Sequence, residues 1–185
     1  MVVAGIGTLL SIIGIYMVKT EEKADMSTLL KALGKAVNVS SGLIVVVLMI
    51  LAAIGMIDWG IFFAVVTGLL VGIKIGKSTE YYTSDEYEPT KSIAEQCKTG
   101  PATCIIAGLG VGMLSSATPV IVTVAGIILS YGFAGGFSFA GDPAVNLANG
   151  LYGIGFAAVG MLATLGITLA TDAYGPLADT AGCTA

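Results

Sequence analysis

The chain has 185 residues, 56% of them hydrophobic and only 11% charged, and its mean hydropathy is +0.94. Twelve acids and eight lysines, with no arginine, are too few to clothe a water-soluble domain of this size. A formal net charge of -4 excludes a nucleic-acid binder or a basic membrane-surface helix, and the lack of His excludes any site built on imidazole.

In chain order, Val2–Val18 is the first apolar run. It lacks a basic start and a small-residue cleavage site, so it reads as a span and not a signal peptide. Residues 19–38 follow as an amphipathic connector, with Leu29, Leu30 and Leu33 at helical spacing and Thr28 as a candidate cap. Val39–Ile57 and Trp59–Ser78 predict two spans joined by the short Asp58-Trp59-Gly60 turn. The loop 79–102 is polar and carries Glu80, Asp85, Glu86, Glu88 and Glu95. Thr103–Phe133 and Asn146–Thr171 complete five expected spans. No charge interrupts 42–57, 59–73 or 143–171, and uncharged runs approaching about 18 residues or more belong in a bilayer. The fold class is therefore all-α, a polytopic transmembrane helix bundle in which residues 1–185 form a single membrane unit.

Lysine sets the orientation. Lys19, Lys23, Lys31 and Lys35 lie between the first two spans, and Lys74, Lys77, Lys91 and Lys98 lie at the end of the third and beyond it. The opposite side holds Asp58 and Asp142 but no Lys. The positive-inside rule then makes 19–38 and 79–102 cytoplasmic loops, the first residue outside and the last inside, with Trp59 and Tyr131 near the outer interface. Small residues stud the spans: Gly72 and Gly76, Gly108 and Gly112, and Gly150, Gly153, Gly155, Gly160 and Gly166. They let helix backbones approach where lipid supplies no hydrophobic drive. Five helices offer limited burial, so further helices are expected from beyond this chain.

Two motifs are decoys. Gly72-Ile73-Lys74-Ile75-Gly76-Lys77-Ser78 is one residue short of a phosphate loop between its glycines and follows a helix instead of a strand. Asn38-Val39-Ser40 is a glycosylation sequon on the inner side. Cys97, Cys104 and Cys183, an odd set at irregular spacing without His, read as small core residues and not as a disulfide framework or zinc site.

The last expected span ends differently. Asp172 and Asp179 follow a long uncharged run and stand seven residues apart, nearly two turns, hence on one face and about 10 Å apart along the axis. Pro176 cannot donate to the Asp172 carbonyl and loosens the helix between them. Hard oxygen donors of this kind suit Mg²⁺ with a phosphate substrate. The alternative is a plain charged helix end.

Four segments in order, Glu80-Tyr81-Tyr82-Thr83-Ser84, Thr99-Gly100-Pro101-Ala102-Thr103, Gly160-Met161-Leu162-Ala163-Thr164 and Asp172-Ala173-Tyr174-Gly175-Pro176, resemble the membrane-bound, ion-translocating inorganic pyrophosphatase family. That resemblance implies a homodimeric pump of roughly sixteen transmembrane helices, of which this chain is an internal fragment. It implies hydrolysis of magnesium pyrophosphate coupled to H⁺ or Na⁺ export across a membrane. It makes Asp179 a magnesium and pyrophosphate ligand, gives Asp172 a less defined part in the same site, and leaves the catalytic residues, the K⁺ dependence and the exported ion to segments outside the chain. The family's Asp-Asn-Ala-Gly-Gly pattern is met here by Asp179-Thr180-Ala181-Gly182-Cys183, which departs at Thr180 and Cys183. The fragment alone is expected to be inactive. The competing class is a non-enzymatic secondary transporter that uses the same carboxylate pair within the membrane.

Overall fold

The computed structural model describes residues 2–16, 26–84, 87–138 and 142–163. Asp172 and Asp179, with Gly166, Cys183 and the last part of the fifth expected span, lie outside them. The described residues form six helices and no strand: α1 (Val2–Tyr16), α2 (Met26–Ala53), α3 (Trp59–Thr83), α4 (Glu88–Cys97), α5 (Pro101–Phe133) and α6 (Pro143–Leu162).

Turn chemistry explains where these helices stop. α2 and α5 end alike. Met56 N–H bonds the Leu51 carbonyl at 3.1 Å and Gly55 N–H bonds that of Ala52, while Gly136 N–H bonds Tyr131 and Gly135 N–H bonds Gly132. Both are Schellman caps, with Gly55 at φ 81° and Gly135 at φ 88° in the left-handed position that a side chain disfavours. α4, α5 and α6 each carry Pro in the first turn, where a missing N–H removes no helical bond. The Asn146 side-chain amide donates to the Ser138 carbonyl at 2.6 Å and ties α6 back to the chain leaving α5.

Several elements differ from the sequence reading. α2 begins at Met26, so the stretch expected as connector is helical from there, and Thr28 sits inside the helix, not at a cap. α3 runs through Thr83, and the acidic loop contains α4, which Pro89 starts. Near the end of α5 the half-buried Tyr131 ring lies against Gly136, Gly150 and Phe137, a contact that leaves its expected interfacial depth unchanged. Trp59 is 57% exposed at the head of α3.

Four helices are apolar and long enough to cross a membrane: α2 over Gly34–Ala53, α3 from Trp59, α5 (Pro101–Phe133) and α6 (Pro143–Leu162). The apolar part of α1, Ala4–Gly14, is shorter. Hydroxyls within these helices bond their own backbone, as Ser41 does to Val37 at 2.7 Å and Thr67 to Phe63 at 2.8 Å. This satisfies a polar group where water is absent. No buried side-chain polar atom lacks a partner among the described residues.

α3 is the centre of the packing and touches α5 and α6 most extensively. α3 and α5 run antiparallel, with Gly60 against Phe133 at one end and Val71 against Gly126 further along. α6 approaches at backbone contact: Gly68 faces Ala157 and Gly160 faces the Val65 carbonyl. A second cluster joins Ile44, Leu48 and Ala52 of α2 to Phe62, Val65 and Leu69 of α3. Most of α5 has no such cover. Ile105, Ile106, Leu109, Met113 and Leu114 are all at least 60% exposed, and nothing approaches Gly108 or Gly112. An apolar face of that size is stable in lipid or against other helices, not in water.

Candidate functional site

Two of the four sequence motifs flank α4, one at its start against the end of α3 and the other at its end, where the chain turns into α5. The first, 80–84, is the last turn of α3, where Ser84 N–H caps the Glu80 carbonyl at 2.9 Å. Tyr81 meets Tyr82 edge to face and Tyr87 at a tilt, both with ring centroids 5.1 Å apart. The Thr90 hydroxyl donates to the Tyr82 carbonyl at 3.3 Å and so docks the start of α4 on the end of α3.

The second motif, 99–103, turns α4 into α5. Helix ends leave orphan carbonyls, and here the Gln96 carbonyl collects three donors. The Thr99 N–H reaches it at 3.1 Å and the Thr99 hydroxyl at 2.6 Å, while the Thr103 hydroxyl, 3.0 Å away, shares its one proton between this carbonyl and that of Gly100 at 2.8 Å. The two hydroxyls are themselves 2.8 Å apart. Gly100, at φ 148°, makes the reversal that a side chain would strain. Pro101 then opens α5. Cys97 and Cys104 bracket this motif and are joined as a disulfide with Cα atoms 4.6 Å apart. The reading of these two cysteines as separate core residues is thereby corrected: the turn between two helices brings together thiols that are seven positions apart.

A shallow groove of about 440 Å³ runs along this corner, lined by Ser92, Gln96, Thr103, Ile106 and Gly110 among others. Its lining offers hydroxyl, amide and carbonyl dipoles but no carboxylate and no cation. A polyanion is held through metal ions or Lys and Arg, so this groove does not by itself bind pyrophosphate. Among the described residues no three potential metal-ligating side chains of His, Cys, Asp or Glu gather. The carboxylates singled out for magnesium, Asp172 and Asp179, lie outside them. The third motif is described only through Ala163. Gly160 meets Val65, Met161 covers Gly72, and Ala163 touches Gly7 of α1. That motif thus carries the α6 backbone contacts with α3 and α1.

The fold and composition together define a helical integral membrane protein in which two motifs flank the short helix α4. Comparison with known proteins narrows this. The profile of the family described as "Inorganic H+ pyrophosphatase" matches residues 1–185, and the chain belongs to that family. It is 56% identical over 98% of its length to a putative K(+)-stimulated pyrophosphate-energized sodium pump of Bacteroides thetaiotaomicron. It is 43% identical over 98% to a protein of the same description from Clostridium tetani, and 38% identical over 93% to a K(+)-insensitive pyrophosphate-energized proton pump of Methanosarcina mazei. The chain covers 24%, 26% and 24% of these three proteins, about a quarter of their length.

Proposed function

We propose that the chain is an internal part of a pyrophosphate-energised pump that couples pyrophosphate hydrolysis to ion export across a membrane. The observation that carries this is the family match through all 185 residues, joined to relatives whose names specify such pumps. The relatives at 56% and 43% identity are named sodium pumps and K⁺-stimulated, which favours Na⁺ as the exported ion and K⁺ as an activator. The full-length protein works as a homodimer on pyrophosphate, in the orientation that the lysines dictate.

In this reading Asp179, with Asp172 seven residues before it, offers hard oxygen ligands after the last uncharged run. Mg²⁺, when bound, neutralises pyrophosphate and positions the attacking water. The chain's own contribution is positional. α3, α5 and α6 hold their register through backbone contact at Gly68 and Gly160 and through the Val71 side chain against Gly126. Acids at one helix end cannot complete the chemistry, so the segment alone turns over no substrate.

The test is Asp179→Ala in the full-length protein, in sealed vesicles. Mg²⁺-dependent hydrolysis should fall by about 10²-fold or more, with ion uptake lost in parallel, and the 185-residue chain assayed beside it should show no turnover. Hydrolysis that survives the substitution removes Asp179 from the site, and Mg²⁺-dependent turnover by the isolated chain overturns the division of labour.

A further inference from the structure

The Cys97–Cys104 pair serves neither the packing of the bundle nor the chemistry proposed above. Cys97 is exposed at the end of α4 and Cys104 half-buried in the first turn of α5, away from the buried core. Their Cα separation of 4.6 Å lies in the range that a disulfide spans without moving the backbone. The ring closed by the bond contains the whole Thr99-Gly100-Pro101-Ala102-Thr103 motif and its Gly100 reversal. Four lysines on 74–98 put this corner on the cytoplasmic face, where thiol buffers keep ordinary cysteines reduced. A bond formed there is a reversible modification and not a permanent staple.

We infer that Cys97 and Cys104 form a reversible dithiol–disulfide site whose closure locks the α4–α5 corner and slows the pump. This rests on the proposed function for its effect on turnover, but not for the chemistry of the pair. The oxidant is a hydroperoxide. The more exposed Cys97 thiolate attacks the peroxide oxygen, the O–O bond breaks, and Cys97 sulfenic acid forms with loss of water or alcohol. The Cys104 thiol then attacks the Cys97 sulfur. The S–S bond forms, water leaves, and two electrons have passed from the cysteines to the peroxide. A low-molecular-weight thiol reverses the change by exchange. Pump cycles require helix ends to shift between states. The reduced corner can pivot at Gly100, and the oxidised one cannot.

The experiment uses the full-length protein in inverted membrane vesicles, reduced and then exposed to hydrogen peroxide. Expected is protection of Cys97 and Cys104 from alkylation, a linked Cys97–Cys104 peptide by mass spectrometry under non-reducing conditions, and loss of most of the pyrophosphate turnover. Dithiothreitol should restore all three. The Cys97→Ser/Cys104→Ser protein should hydrolyse pyrophosphate normally and ignore peroxide. Cysteines that stay open to alkylation after peroxide, or a bond that forms while turnover is unchanged, overturn the inference. If even untreated vesicles hydrolyse no pyrophosphate, the functional reading falls. The pair is then judged by amide hydrogen exchange across 96–104, which must slow on oxidation and otherwise refutes the lock.

Discussion

Replacing Gly68 by Ala is the sharpest probe of how this bundle is held together. A Cβ at that position would lie 2.8 Å from the Ala157 Cα and 2.6 Å from its carbonyl carbon, against an ordinary contact of 3.4–4 Å. Both obstacles are backbone, so no rotamer change relieves them. α3 and α6 must part by about 1 Å at their crossing, and a gap of that order forfeits a quarter to a half of each dispersion contact around it. Overpacking of this kind costs about 1–3 kcal/mol, while the Gly-to-Ala gain in helix propensity returns roughly 0.5–1 kcal/mol. The net loss is on the order of 1–2 kcal/mol. The natural comparison is Gly155→Ala on α6, where nothing lies within 4 Å and only the propensity gain applies. The assay is unfolding of the 185-residue chain in mild detergent, titrated with sodium dodecyl sulfate and followed by helical ellipticity. Gly68→Ala should unfold at a lower detergent fraction than the wild type and Gly155→Ala at an equal or higher one. Equal midpoints for the two variants would refute the backbone contact between α3 and α6.

Two further outcomes are expected. Gly100→Ala forces a side chain to φ 148°, a strain of about 1–3 kcal/mol. The α4–α5 turn should open and trypsin should cut faster after the exposed Lys98, whereas an unchanged cleavage rate would show that the turn tolerates a Cβ. Lys91 and Lys98 should react with a membrane-impermeant amine reagent in inverted vesicles and be shielded in right-side-out ones. The opposite pattern would reverse the orientation drawn from the positive-inside rule.

The glycines show where sequence legibility stops. Gly108 and Gly112 form the same small-residue pattern as Gly68 and Gly72, yet nothing approaches the first pair, while Gly68 touches Ala157 and Gly72 touches Met161. The spacing says that a helix face is smooth enough for a close partner. Which partner arrives depends on where the chain returns. The Schellman caps at Gly55 and Gly135 set those returns through local turn geometry, which hydropathy does not register. Helical spacing of Leu29, Leu30 and Leu33 was visible before the second span, but not that this helix runs unbroken into it: Lys31 and Lys35 mark the end of an apolar run, and a helix continues past the membrane boundary as long as its backbone bonds are satisfied. At the corner, the four ordered segments located the family, but neither the Gln96 carbonyl knot nor the cysteine pair was readable, because each needs two helix ends folded against one another.

The sequence by itself determined that this protein lives in a bilayer and is helical, because charge-free runs of that length have no other stable solvent and no other way to satisfy their backbone. It also carried the family, since its motifs occur in order along the chain. Tertiary structure alone decided which smooth faces meet and that a short helix, α4, separates residues 80–84 from 99–103. It also turned two of three scattered cysteines into a bonded pair. Those are relations between segments, fixed by where the turns send the chain, and a one-dimensional pattern does not contain them.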